Sequence, residues 1–210
     1  MIIKLENVKK SFGDNVIFDD LSFEIKRGEL VAIIGKSGSG KSTLLNILGG
    51  LERIDSGKIT VDNLDITQKK NLVNYFRTEV GFVFQNFALT ENKTVKENLE
   101  IIKKNAKSGI TIEDALESVG LKNKLNEKVY KLSGGEQQRV SLARVMIKKC
   151  NVILADEPTG SLDPENGKKI MDIFKRLNKE GKTVIIVTHD MRIAEQCGRI
   201  IEILDGNIVS

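Results

Sequence analysis

Tryptophan is absent from the 210 residues, histidine occurs once, and proline and cysteine occur twice each. Each shortage excludes something. A single histidine with two distant cysteines, Cys150 and Cys197, cannot supply a zinc site built from closely spaced His and Cys ligands, and the two thiols match no redox spacing. They are read as reduced and partly buried. With proline only at 158 and 164 there is no proline-rich linker, and neither an internal repeat nor a low-complexity tract is present. No apolar run approaches the ~20 residues that cross a bilayer. The longest, at 30–34 and 184–187, read as buried strands. Residues 1–7 lack a basic stretch followed by an apolar one, so a secretory signal is not expected and the chain is expected to stay in the cytoplasm.

What is present is ordinary for a globular protein: 40% hydrophobic and 30% charged residues. The length suits one compact unit with subdomains. The net charge of +4 is spread over pairs such as Lys69-Lys70, Lys103-Lys104, Lys148-Lys149 and Lys168-Lys169, interleaved with acids. That distribution describes a solvated surface, and no nucleic-acid partner is expected.

Residues 1–34 alternate strand-like runs with turns: 2–8, the Gly13-Asp14-Asn15 turn, 16–25, Arg27-Gly28, then the buried run 30–34. Farther along, apolar strands at 152–155 and 183–188 alternate with a helical stretch at 165–180 and a short helix from Met191, which implies a largely parallel sheet covered by helices. Between them, 86–149 carries helical periodicity at 95–104, 112–119 and 136–149, and reads as a helical subdomain. Residues 200–209, turning at Asp205-Gly206-Asn207, read as a closing hairpin. The expected fold class is α/β, with a mostly parallel core and an antiparallel β subdomain at 1–85 and 150–210, and the helical subdomain inserted at 86–149.

Directly after the run 30–34 stands Gly35-Lys36-Ser37-Gly38-Ser39-Gly40-Lys41-Ser42, followed by helical residues from Thr43. Strand, G-x-x-x-x-G-K-S and helix in that order form a phosphate-binding loop. Its glycines let successive N–H groups face phosphate oxygens, and the helix start adds a favourable dipole. Lys41 is expected at the β and γ phosphates, the Ser42 hydroxyl on magnesium, and Thr43 at the α phosphate.

The run Val152-Ile153-Leu154-Ala155 ends in Asp156-Glu157. Two carboxylates at the carboxyl end of a buried strand occupy the edge where open α/β sheets bind ligands. Asp156 suits magnesium, and Glu157 suits orienting and deprotonating an attacking water; a plain polar turn at Glu157-Pro158 is the competing explanation. His189, the lone histidine, follows the strand at 183–188 and so reaches the same edge, where it can donate to a γ phosphate. Asp190 beside it suits the cap of a helix from Met191.

Leu132-Ser133-Gly134-Gly135-Glu136-Gln137 opens the helix that runs to 149, and Ser133 with Glu136 fits an S-x-x-E capping box. Capping leaves the two glycines unexplained, and they make a second helix start able to receive an anion.

Taken together, the phosphate loop, the LSGGEQ hexapeptide, the VILADE strand, Ser161-Leu162-Asp163 and His189, in that order, strongly resemble the ABC ATPase family over essentially the whole chain. The resemblance implies ATP and Mg2+ as cofactors. It also implies that the hexapeptide, through Ser133, Gly135 and Glu136, contacts the γ phosphate held by a second subunit, so that two ATP molecules are sandwiched in a dimer. It assigns Gln85, in Val80-Gly81-Phe82-Val83-Phe84-Gln85, to magnesium and to the hinge of the helical subdomain, and assigns Ser161 and Asp163 to communication across the dimer. Phe12 takes the place of a tyrosine that stacks on adenine in the family, with Val16 packing nearby; phenylalanine keeps the stacking face and loses the hydroxyl.

Ala155, the segment Glu157-Pro158-Thr159-Gly160-Ser161-Leu162-Asp163, and Phe84-Gln85-Asn86-Phe87 are similar to the branch of macrolide exporters, lipoprotein-releasing complexes and bacteriocin or peptide exporters. In that branch a separate membrane permease is the partner, and the chain would sit on the inner face of the membrane through it. Residues 90–131 are shorter than is usual there, and no regulatory extension is expected after the last hairpin. A soluble ABC motor acting on nucleic-acid or ribosomal partners, and a nucleotide-binding regulator that no longer hydrolyses ATP, remain as alternatives at this stage.

Overall fold

A computed structural model describes residues 1–209. The chain begins with two long antiparallel strands, β1 (Ile3–Phe12) and β2 (Asn15–Ile25), joined at Gly13-Asp14. Strand β3 (Leu30–Ile34) leads into helix α1 (Lys41–Leu48). Then come β4 (Ser56–Val61), β5 (Leu64–Asp65), α2 (Lys69–Thr78) and β6 (Val80–Val83). β4 pairs antiparallel with β1, and β5 with β4, in a sheet ordered β2-β1-β4-β5.

After β6 come α3 (Val95–Glu100), α4 (Ile112–Ser118) and α5 (Gly134–Ile147), separated by short 3-10 turns. The chain then alternates β7 (Val152–Asp156), α6 (Pro164–Lys179), β8 (Thr183–Val187), α7 (Met191–Ala194), β9 (Arg199–Leu204) and β10 (Asn207–Ile208). The second sheet runs β10-β9-β3-β8-β7-β6, with every neighbouring pair parallel except β10 with β9.

The inner parallel strands β3, β7 and β8 are apolar along nearly all of their length because both faces are covered. On β7, Val152 and Leu154 join the core shared with α1 and the antiparallel sheet, while Ile153 and Ala155 join the core under α5 and α6. β8 divides the same way, Ile185 and Val187 to one side and Val184 and Ile186 to the other. The register places the carboxyl ends of β3, β7 and β8 side by side, with β6 next to β7. That edge holds the site.

The structure departs from the sequence expectation in two places. β4, β5 and α2 were not anticipated, because 56–78 mixes polar and apolar residues without a sustained period. The helix expected over 95–104 stops at Glu100, since the chain must turn to bring Lys107 against Lys148: Ser108 N–H donates to Ile147 O (2.8 Å) and Lys149 N–H to Ala106 O (2.8 Å). The short helix expected from Met191 forms with four residues, capped as expected by Asp190, whose carboxylate accepts from Arg192 N–H (2.9 Å). The closing hairpin forms, and Gly206 at its turn (φ 76°) has backbone of Ile17 where a side chain would stand.

Candidate functional site

The loop from Gly35 to Gly40 bridges β3 and α1, whose first residues are Lys41 and Ser42. Gly40 carries φ 92°, and a Cβ there would lie 2.8 Å from both Ile17 and Phe18 side chains, so conformation and space both demand glycine. α1 starts without a side-chain cap, which leaves its first N–H groups free for an anion. The Lys41 ammonium turns back and donates to Gly35 O (2.9 Å) and Lys36 O (2.7 Å). Ser39 Oγ is buried with no partner among the described residues. A cavity of about 330 Å3 opens over the loop, walled by Ser37, Gly38, residues 40–43, Glu157 and His189. Ile17 completes it, a residue the sequence reading passed over for its neighbour Val16. Phe12 and Val16 instead stand exposed (48% and 61%) at the β1–β2 turn, with Lys10 Nζ 4.3 Å from the centre of the Phe12 ring.

Ser42 Oγ donates to Asp156 Oδ1 across 3.3 Å. Burial pushes the Asp156 carboxyl above its ordinary range, against the opposing bond from Ser42. A hydroxyl and a desolvated carboxylate side by side are hard oxygen donors of the kind magnesium takes, and a dication there would offset the cost of burying the charge. Glu157 occupies the left-handed region (φ 43°), and its N–H donates to Val187 O (2.9 Å), fastening the turn to β8. Its Oε1 lies 2.7 Å from His189 Nδ1, and its Oε2 accepts from Thr188 Oγ1 at 3.3 Å. Thr188, fully buried, also accepts from Asp190 N–H (3.1 Å). Sequence reading treated it only as a strand end; a buried hydroxyl beside the lone histidine was the available signal.

At α5, Ser133 Oγ accepts from Glu136 N–H (3.3 Å) and Glu136 Oε2 accepts from Ser133 N–H (2.9 Å), so the capping box is complete. Leu132 is buried, and its carbonyl accepts from Gln137 Nε2 (3.1 Å). The two glycines differ. A Cβ on Gly135 would fall 2.6 Å from Asn166 Cγ on α6, whereas one on Gly134 would meet only ordinary contacts with Leu162 and Phe87. Close packing of two helices therefore accounts for Gly135, a reason the sequence reading did not contain.

α5 also grips what surrounds it. Arg144 donates to the carbonyls of Ala88 (2.6 Å) and Phe87 (3.1 Å), holding the left-handed turn that follows Gln85. Gln85 is exposed, and its amide nitrogen would be 3.7 Å from a Cβ on Gly160, which puts it beside the Glu157 turn. Asp163 caps α6, accepting from Asn166 N–H (3.0 Å) and Asn166 Nδ2 (2.7 Å), and the Asn166 backbone bond holds its carboxyl below the usual range. Ser161 is exposed next to it.

A phosphate loop between a parallel strand and a helix, facing paired acids at the end of β7, one strand beyond β8, defines a nucleotide-binding domain of the phosphate-loop class. The ABC transporter family model matches residues 18–160. The macrolide export ATP-binding/permease protein MacB of Campylobacter fetus is 45% identical over the whole of this chain, which spans about a third (34%) of that relative's length. The ABC transporter ATP-binding protein YvrO of Bacillus subtilis is 40% identical, with 99% of this chain and 96% of the relative covered. The dimeric ABC transporter cassette MJ0796 superposes with a TM-score of 0.88 at 40% identity, covering 99% of this chain and 97% of that one. The chain belongs to the ABC transporter family and has the fold of its ATP-binding cassettes. No helix among the described residues is long and apolar enough to cross a membrane.

Proposed function

We propose that this chain is the ATP-binding and ATP-hydrolysing subunit of an export transporter, pairing with a second copy around two ATP molecules and driving a membrane permease. The observation that carries the reading is the single cavity in which the phosphate loop faces both Glu157 and His189. A nucleotide there meets the loop amides and Lys41, which exchanges its two carbonyl partners for phosphate oxygens. Glu157, fixed by His189, Thr188 and the Val187 carbonyl, orients and deprotonates water; His189 donates toward the γ phosphate. Ser42, Asp156 and Gln85 would hold Mg2+, which neutralises phosphate charge when bound. Phe12 offers its ring to adenine, with Val16 beside it.

None of residues 132–137 lines the cavity over the phosphate loop, so one nucleotide does not use both motifs of a single chain. That supports a pair of chains in which Ser133, Gly134, Gly135 and Glu136 of each, held by Leu132 and Gln137, close on the other's ATP, with Ser161 and Asp163 at the seam. MJ0796, similar in fold and sequence, has a dimeric structure and a post-hydrolysis dimer bound to ADP and Pi. Between the core and the helical region, an apolar cleft of about 260 Å3 lined by Phe76, Phe82, Phe84, Ile101 and Arg144 offers the permease a seat next to the Gln85 loop. The MacB relatives are named as macrolide export ATP-binding/permease proteins, which supports a drug-like substrate and a place beside a permease at the inner membrane face; a peptide or lipoprotein substrate rests on the branch resemblance of the sequence. Because the relatives found are transporter proteins, a nucleic-acid motor is not favoured.

The test is Glu157→Gln in the purified chain. ATP affinity should hold, turnover should fall by about 10²-fold or more, and light scattering should show an ATP-stabilised dimer. Near-normal hydrolysis would remove Glu157 from the base role.

A further inference from the structure

Gln138 is a polar residue in the second turn of α5, 1% exposed. Its Nε2 donates to the carbonyl of Pro158 at 2.8 Å, and its Oε1 has no partner among the described residues. This one bond therefore justifies a buried amide that an apolar residue of the same volume would otherwise replace with gain. Pro158 follows Glu157 directly, in a turn whose backbone is already displaced into the left-handed region. The other side of the turn is anchored to β8 through Glu157 N–H. The carbonyl of Pro158 and the amide of Glu157 thus tie one short turn to two different elements.

A second connection runs parallel to the first. Arg139 Nη1 donates to Asn166 Oδ1 (2.7 Å), and Asn166 donates in turn to Asp163. With Gly135 packed on Asn166, the first two turns of α5 are joined rigidly to the segment 157–166. The start of α5 is where the hexapeptide stands, and the end of the tie is the turn that carries Glu157.

We infer that Gln138 is a positioning residue that couples the two nucleotide sites of the dimer, transmitting the seating of α5 on the partner's ATP to the Glu157 turn over the chain's own ATP. This rests on the dimer reading above. Motion of α5 is felt at Pro158 because the linking bond is short and buried, and because cores transmit displacement rather than absorb it.

The experiment is ATP hydrolysis as a function of ATP concentration for the full chain and for Gln138→Met, which keeps volume and removes the donor. Gln138→Asn, which withdraws the amide by one methylene, is the second variant, and Ser141→Ala is the control, since Ser141 Oγ is equally buried and without partner. Fluorescent-ATP affinity of the single chain at concentrations below dimerisation reports the site itself. Expected is a fall in kcat of about tenfold and a Hill coefficient reduced from near 2 to about 1 in both Gln138 variants, with single-chain affinity unchanged and the Ser141 control like wild type. Wild-type kcat and cooperativity in either folded Gln138 variant overturn the inference. So does an equal defect in Ser141→Ala, or failure of both Gln138 variants to fold, each of which would make the role structural. Wild-type chain that binds ATP but never dimerises would instead sink the dimer reading, and the inference with it.

Discussion

Nδ1 of His189 stands 2.7 Å from Oε1 of Glu157, and the two side chains have opposite exposures: 73% for the histidine, 15% for the glutamate. The glutamate is set into the fold, while the imidazole leans over it from the solvent side. A charged carboxylate in that position is aimed by its neighbour, so the pair is expected to act as a unit.

Removing His189 should therefore cost turnover without costing binding. His189→Ala is expected to lower kcat by about 10²-fold with the ATP dissociation constant within about twofold of wild type. A double variant with Glu157→Gln should be hardly slower than Glu157→Gln alone, because residues that act together are not additive. Single-turnover and steady-state assays on the three variants check this, and additive losses would separate the two roles.

Gly135→Ala places a methyl group against Asn166, 2.6 Å from its Cγ. Overpacking of this kind is expected to destabilise the chain by about 1–3 kcal/mol, read as a lower midpoint in urea. Gly134→Ala, with neighbours at 3.6 Å, should shift the midpoint far less. If the two substitutions behave alike, Asn166 is not what demands glycine.

Ser133→Ala removes one half of the capping box. Helix-cap losses run about 1 kcal/mol, so thermal unfolding should move by a few degrees only, and single-chain ATP affinity should stay as it is. Dimerisation on ATP, in a Glu157→Gln background, should be lost. A dimer that forms normally would confine Ser133 to capping.

The two cysteines are free, and burial pushes the Cys197 thiol up to about 11 from 9.0. A thiol reagent attacks the thiolate, so at pH 8 its labelling should be about a hundredfold slower than that of an ordinary exposed thiol, and should accelerate roughly tenfold per pH unit up to about pH 11. Burial raises Cys150 as well, and it should react only when the chain unfolds. Labelling followed by intact mass against pH distinguishes the two sites.

Much of the site was legible because its chemistry is local. Gly35 to Ser42 lie within one strand, loop and helix, so spacing alone states their geometry, and the same holds for the Ser133–Glu136 box. Strand-ending Asp156, Glu157 and His189 were readable because parallel strands deliver their carboxyl ends to one edge. The segment 56–78 was not, since β4 owes its existence to pairing with β1, β5 to pairing with β4, and α2 to packing beside β6.

The sequence by itself determined the antiparallel opening, the strand and helix alternation after 150, the phosphate loop, the acidic strand end and the capped helix after Ser133, because each depends on neighbours within a few residues. Only the tertiary structure decided that His189 bonds Glu157, that Ile17 and not Val16 walls the cavity, that Gly135 serves Asn166, and that Gln138 holds Pro158. These contacts join residues 20 to more than 100 positions apart, and their distances depend on how two cores pack on opposite faces of one sheet, which no local pattern encodes.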